Sequence, residues 1–166
     1  MKPDVLIAWP LRPRFMEELE ARYTLHRLDQ ATDRDAVLAK AGPLCTAMVV
    51  NGHVAVDAAM LDRLPALRLA ACSSAGFELM DLEAMTRRGI TLTNTSTALV
   101  DDVADAAILL MLAARRRLVE ADAHVRSGDW GRQGMFPLTA STAGKRAGIV
   151  GLGTIGLAIA RRCEAM

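Results

Sequence analysis

The chain has 166 residues, a formal net charge of +1, 52% hydrophobic and 23% charged residues, a balance that excludes a disordered tail and a strongly basic nucleic-acid binder. Its three cysteines, Cys45, Cys72 and Cys163, are odd in number, lack metal-ligand spacing and lie in apolar stretches, so they are expected to be reduced core thiols of a cytoplasmic protein. The apolar run at residues 5–9 is too short for a signal peptide and the longest one, at 106–114, is about half a membrane span, so no membrane partner is expected.

In chain order, short apolar runs at residues 5–8, 23–25, 47–50, 67–71 and 90–92 read as strands. Amphipathic segments at 14–21, 34–41, 57–64 and 81–88 between them read as helices. Strand and helix in alternation predict an α/β fold with a parallel sheet covered on both faces. Such sheets bind ligands outside the carboxyl ends of their strands. That rule singles out two loops, Asn51-Gly52-His53 and Cys72-Ser73-Ser74-Ala75-Gly76.

After residue 97 the pattern changes to a long helix that opens with Asp101 and Asp102, runs through residues 106–114 and turns basic at Arg115-Arg116-Arg117. Acid first and base later suit the helix macrodipole. Without interleaved aromatics or a net positive domain, the triple arginine reads as a solvated helix face, and nucleic acid is not expected as a partner. Gly128, Gly131 and Gly134 with Pro137 then make a loop, so the domain crossing falls between about residues 97 and 144.

Residues 146–150 form a short apolar run, Gly151-Leu152-Gly153-Thr154-Ile155-Gly156 follows, and residues 157–162 have helical character. A GxGxxG after a strand and opening a helix is a dinucleotide-binding fingerprint. Gly151 permits the tight turn, Gly153 admits a pyrophosphate to the backbone, and Gly156 lets helix and strand pack closely over the amide-rich helix start. A βαβ unit needs about thirty residues, so the closing helix, read alone, has no second strand to cover its apolar face and should be unstable.

Residues 94–166 resemble the D-isomer-specific 2-hydroxyacid dehydrogenases, and within them the glyoxylate/hydroxypyruvate and hydroxyphenylpyruvate reductases. The resemblance rests on Asn94-Thr95, Asp101-Asp102-Val103-Ala104-Asp105, Val125-Arg126-Ser127-Gly128-Asp129-Trp130, Gly144-Lys145, the stretch from Gly148 to Gly153, and residues 159–165. Leu64-Pro65-Ala66-Leu67 and Ser74-Ala75-Gly76-Phe77-Glu78 extend it over nearly the whole chain, more loosely before residue 45.

The resemblance implies a flavodoxin-like substrate domain at residues 1–97, a crossover helix and dimerisation segment at 98–143, and the first βα unit of a Rossmann domain at 144–166. It implies hydride transfer from NAD(P)H to a small 2-oxoacid such as glyoxylate or hydroxypyruvate. The arginine, glutamate and histidine that perform the chemistry in the family lie beyond the last residue here. The chain is therefore expected to be the amino-terminal part of a longer enzyme, without turnover of its own. The alternative is an inactive truncated or degenerate chain that serves only as a folded binding or oligomerisation module. The likeness to hydroxypyruvate reductases tilts the expected cofactor toward NADP over NAD.

On the substrate side, the consecutive amides of Ala75 and Gly76 are expected to form an anion-binding nest for the 2-oxoacid carboxylate, against the reading that Gly76 merely permits a turn. Asn51 is expected either to donate its side-chain amide to the same ligand or to close an Asx turn with Gly52. The resemblance implies that Trp130 reaches toward the neighbouring subunit's active site, against the reading that it is an interface aromatic with packing value only; both imply a homodimer through residues 98–137. His26, in a predicted strand, and His124, on the long helix, are expected in packing or surface roles, and His53 at the cleft rim. Ser96, Val100 and Ala75 depart from the family's usual proline, threonine and valine, which leaves the 2-oxoacid itself open.

Overall fold

A computed structural model describes residues 2–166. It divides into two compact units, residues 1–97 and 98–166.

The first unit is built on five parallel strands, β1 (Asp4–Ile7), β2 (Thr24–Arg27), β3 (Ala47–Val50), β4 (Leu69–Cys72) and β5 (Thr91–Thr93). They are ordered β2-β1-β3-β4-β5, which is the flavodoxin-like doubly wound order. Four helices connect them, α1 (Pro13–Arg22), α2 (Arg34–Ala41), α3 (Ala58–Asp62) and α4 (Leu82–Arg87). Every expected strand and helix of this unit is present, with ends shifted by a few residues at most.

The period-2 alternation of β1 decides how the layers form. Val5 and Ile7 turn to one face, where they pack with Met16 of α1 and Val49 of β3. Leu6 and Ala8 turn to the other, into a larger core with Met48, Val50 and Ala70 from the sheet and Leu38, Leu61, Ala84 and Met85 from α2, α3 and α4. The three helices on that face start in the same way. Asp33, Asp57 and Asp81 each accept the backbone N–H three residues on, at 2.9, 2.8 and 2.8 Å, satisfying a donor that the helix itself cannot pair. Asp57 and Asp81, expected inside their helices, are thus the caps. Both faces carry a core cluster, as expected, and cover is thinner on the α1 side, where Leu69 of β4 is 37% exposed.

The second unit contains α5 (Val100–Arg115), α6 (Leu118–Arg126), α7 (Asp129–Gln133) and α8 (Thr154–Glu164). The expected long helix ends at Arg115 because Arg117 adopts a left-handed backbone, φ 48°, which no α-helix can continue through. His124 accordingly sits on a separate helix, α6. The three arginines at this break are fasteners and not a bare solvated face. Arg115 Nη2 donates to the Ser141 carbonyl at 2.8 Å and Arg116 Nε to Thr139 Oγ1 at 2.9 Å. Arg117 pairs with Glu120 and lies 5.1 Å over the Phe136 ring.

Residues 146–150 do not form a strand: they have no ladder partner among the described residues, the chain bends at Val150, and Val150 is fully exposed. A strand exists only by hydrogen bonding to a neighbour, and a periodicity cannot supply one. Helix α8, by contrast, does find a partner. It packs along α5, burying Ala158 and Ala104. Arg162 locks the pair, with Nε 2.6 Å from Asp105 and Nη2 3.0 Å from Asp101.

Candidate functional site

Two arrangements carry the chemistry, one in each unit. The first lies at the carboxyl edge of the parallel sheet, where β1, β3, β4 and β5 release their chains into adjacent loops.

The loop after β3 begins with an Asx turn, in which the Asn51 Oδ1 accepts the His53 N–H at 2.7 Å and the Asn51 carbonyl accepts the Val54 N–H at 3.0 Å. The turn engages only the oxygen of the side-chain amide. Its Nδ2 has no acceptor among the described residues and remains able to donate, so the two roles expected for Asn51 are compatible with each other.

The loop after β4 holds Ala75 and Gly76, and their amides have no acceptor among the described residues. What aims them is the loop after β5. Asn94 Nδ2 donates to the Ala75 carbonyl at 3.0 Å, and the Thr95 N–H donates to the Ser74 carbonyl at 3.1 Å. In a trans peptide the C=O of one residue and the N–H of the next point in opposite directions, and no cis bond is present among the described residues. Holding the carbonyls of Ser74 and Ala75 on one side therefore directs the N–H groups of Ala75 and Gly76 to the other. Two consecutive free amides facing one way are what an anion nest requires.

Ser74 joins the two loops. Its Oγ accepts the Gly52 N–H at 2.7 Å and donates to the Gly76 carbonyl at 2.9 Å. The approach is close enough that a Cβ on Gly52 would stand 2.3 Å from the Gly76 oxygen. Sequence reasoning placed Ser74 and Asn94 in a loop and in a motif but assigned them no task. Their only signal was their position, beside the two amides and one strand over.

His53 is exposed, with its ring centroid 6.2 Å from that of Trp9. His26, as expected, has a packing role, its Nε2 lying 2.7 Å from Asp4 Oδ1. His124 Nε2 lies 2.7 Å from the Gly134 carbonyl, with its ring against the edge of Phe136. Cys45 and Cys72 are buried, but Cys163 is only partly covered, so it is not the core thiol expected. Burial, with a lesser contribution from Asp4, pushes the Cys45 thiol up to about 11.

The second arrangement is the glycine turn into α8. Gly151 has φ +90°, a conformation that strongly favours glycine. A Cβ on Gly156 would stand 2.1 Å from the Gly151 carbonyl oxygen, so the helix can approach the turn only without a side chain there. Gly153 differs: its φ is −79° and nothing lies within 4 Å of where its Cβ would be. Neither backbone nor packing demands glycine at 153, and the space beside it is open to an approaching group. Gly153 caps α8 without a side-chain hydrogen bond, and no acid stands in the first turn. The amides of Thr154, Ile155 and Gly156 are thus left at the positive end of the helix dipole. The residues fit a dinucleotide phosphate.

Trp130, on α7, is 53% exposed and makes no aromatic pair among the described residues. Those residues also contain no cluster of metal-ligating side chains and no helix long and apolar enough to cross a membrane.

Comparison with known proteins gives the family of the chain. Residues 5–154 match the model of the D-isomer specific 2-hydroxyacid dehydrogenase catalytic domain. The chain is 42% identical over 162 residues to hydroxyphenylpyruvate reductase of Plectranthus scutellarioides, which covers 97% of this chain and 51% of that protein. It is also 42% identical to a glyoxylate/hydroxypyruvate reductase of Arabidopsis thaliana, with 97% and 51% covered. Among solved structures, a 2-hydroxyacid dehydrogenase from Ketogulonicigenium vulgare superposes with a TM-score of 0.93 at 38% identity, over 99% of this chain and 52% of that one. An NADPH-dependent glyoxylate/hydroxypyruvate reductase from Sinorhizobium meliloti, solved with NADP and malonate, superposes at 0.76 and 36% identity, over 99% and 51%. The chain spans about half the length of the curated relatives it matches.

Proposed function

The chain belongs to the D-isomer specific 2-hydroxyacid dehydrogenases, and we propose that it forms the substrate-binding unit and the opening of the cofactor unit of a reductase acting on a small 2-oxoacid, glyoxylate or hydroxypyruvate. The observation that carries this reading is the pair of free, co-directed amides at Ala75 and Gly76, held by Asn94 and Thr95 at the carboxyl edge of the sheet. They bind the carboxylate of the acid, and Asn51 Nδ2 donates to the same ligand.

Gly151, Leu152, Gly153, Thr154, Ile155 and Gly156 hold the pyrophosphate of NADP or NAD, with NADP preferred, as in the Sinorhizobium meliloti relative. Bound there, the nicotinamide cofactor supplies the hydride. The contribution of the chain's own residues is to fix the acid's orientation and the cofactor's phosphates. The catalytic arginine, glutamate and histidine of the family have no counterpart in these 166 residues. The 166-residue polypeptide therefore binds the acid without turning it over.

The same reading includes a homodimer through residues 98–137. Leu109, Leu110, Leu118, Val119 and Trp130 are all more than half exposed there, and exposed large apolar side chains concentrated in one segment support an association face. Trp130 belongs to that face, either packing in it or reaching toward the neighbouring subunit's site. Three free cysteines suit the reducing conditions of the cytoplasm.

Titration of the ¹⁵N-labelled chain with glycolate tests the carboxylate assignment. The Ala75 and Gly76 amide signals should shift, and a flat response at both overturns the assignment. NADPH-dependent loss of glyoxylate by the 166-residue chain, abolished in Gly153→Asp, would overturn the statement that it lacks turnover.

A further inference from the structure

The backbone that follows the two free amides is held at both ends. The Gly76 carbonyl accepts from Ser74 Oγ at 2.9 Å and from the Cys72 thiol at 3.6 Å. Three residues on, the Leu79 carbonyl accepts the Val56 N–H at 3.0 Å, and the Met80 N–H donates to the Phe77 carbonyl at 3.0 Å. Glu78 lies between these anchors, so the loop sets where its side chain starts relative to the Ala75 and Gly76 amides.

That side chain turns back toward Gly76. Glu78 Oε2 stands 2.7 Å from where a Cβ on Gly76 would be, with Cδ and Oε1 at 3.6 Å, which puts a carboxylate oxygen within about 4 Å of the Gly76 Cα. The carboxylate caps nothing there: it makes no hydrogen bond to either amide and no ion pair among the described residues. Glu78 is exposed, so its charge stays hydrated and acts on a neighbouring ligand through a screened field. A negative charge thus borders two free donors that suit a negative ligand.

We infer that Glu78 determines specificity at this site, disfavouring acids that carry a second carboxylate and leaving the amides of Ala75 and Gly76 to monocarboxylates. The inference rests on the carboxylate assignment proposed above. The first carboxylate of a ligand also meets Glu78, but it gains two hydrogen bonds from the amides, each strengthened because the acceptor is ionised. A second carboxylate on the same molecule meets the repulsion again without a matching pair of donors. The one further donor assigned to the ligand, Asn51 Nδ2, is neutral and leaves the added charge uncompensated. Two like charges some 5–6 Å apart in a hydrated setting repel enough to change affinity about three- to tenfold. Specificity of this kind comes from a repulsive element set against the wrong ligand, beside the attractive one that holds the right one.

The test uses the ¹⁵N-labelled 166-residue chain and two 2-hydroxyacids that differ by one carboxylate, glycolate and tartronate, titrated separately. Both should shift the Ala75 and Gly76 signals, glycolate at the lower concentration. Glu78→Gln keeps the size of the side chain and removes its charge, and it should tighten tartronate about three- to tenfold more than it tightens glycolate. Glu78→Asp, which keeps the charge, should keep most of the parent's discrimination. Raising NaCl from about 0.1 M to about 1 M should narrow the gap between the two acids in the parent, a response that packing by Glu78 would not give. An unchanged ratio of the two affinities in Glu78→Gln overturns the role of Glu78 alone. Should that variant fail to fold, a ratio in the parent that does not move with salt overturns it equally. Silence of Ala75 and Gly76 with both acids overturns the carboxylate assignment and the role of Glu78 with it.

Discussion

The Ser74 hydroxyl accepts the backbone N–H of Gly52 at 2.7 Å, tying the loop after β4 to the loop after β3. Because the same hydroxyl donates to the Gly76 carbonyl at 2.9 Å, one small side chain sets the spacing of both ligand-facing loops. Ser74→Ala leaves the Gly52 N–H and the Gly76 carbonyl without this partner. The expected cost is about 1–3 kcal/mol of stability, read by urea denaturation, together with weaker glycolate binding. A variant as stable as the parent would place no weight on this link.

Gly52→Ala should be worse than an ordinary glycine replacement. The new Cβ meets backbone, the Gly76 oxygen at 2.3 Å and its carbon at 2.9 Å, and backbone cannot rotate aside as a side chain can. Overpacking of this kind costs about 1–3 kcal/mol. Denaturation curves of Gly52→Ala and of Gly131→Ala, where a Cβ meets nothing within 4 Å, make the comparison, and equal midpoints would contradict it.

The fingerprint glycines should separate into two classes. Gly151→Ala places a side chain at φ +90° and Gly156→Ala pushes on the Gly151 carbonyl, so both should loosen α8, by about 1–3 kcal/mol. Gly153→Ala enters open space and should leave stability within about 0.5 kcal/mol of the parent. Hydrogen exchange of the α8 amides reads both effects. NADPH titration of the protein carrying the complete cofactor domain should then show Gly153→Ala weakened although its fold is intact.

The cysteines should differ in reactivity. At pH 8 the Cys45 thiol, buried and held at about 11, should resist a thiol reagent until the protein unfolds, while Cys163, partly covered, should react in the native state. The same shift has a consequence for stability. Cys45 keeps its proton in the folded chain up to about 11 but loses it in the unfolded chain near its ordinary value of 9.0. The unfolded state thus binds fewer protons in this window, and the contribution of Cys45 is complete below pH 9 and lost as pH rises toward 11. Cys45→Ser should flatten that part of the stability profile.

Arg162 bridges Asp101 and Asp105 across the α5–α8 packing. Arg162→Ala should speed hydrogen exchange in α8 while leaving the β-sheet amides unchanged, because the sheet belongs to the other unit. A uniform change across both units would contradict a local role.

Much of this protein is written in short-range patterns. Alternating apolar runs gave away each strand and helix of the first unit, because period-2 and period-3.6 patterns answer directly to which face is buried. The fingerprint, too, was legible, since Gly151 and Gly156 are required by a local turn and a local contact. Only the tertiary structure decided what depends on partners distant in sequence. Residues 146–150 carry a strand's composition and no ladder, because pairing is a property of two segments. Asn94 and Thr95 aim the amides of Ala75 and Gly76 from one strand away, and Ser74 spaces them by reaching back 22 residues to Gly52. The direction of a free N–H, on which the carboxylate site depends, is set by whatever holds the opposite carbonyl, and no spacing within the Ala75-Gly76 loop records that.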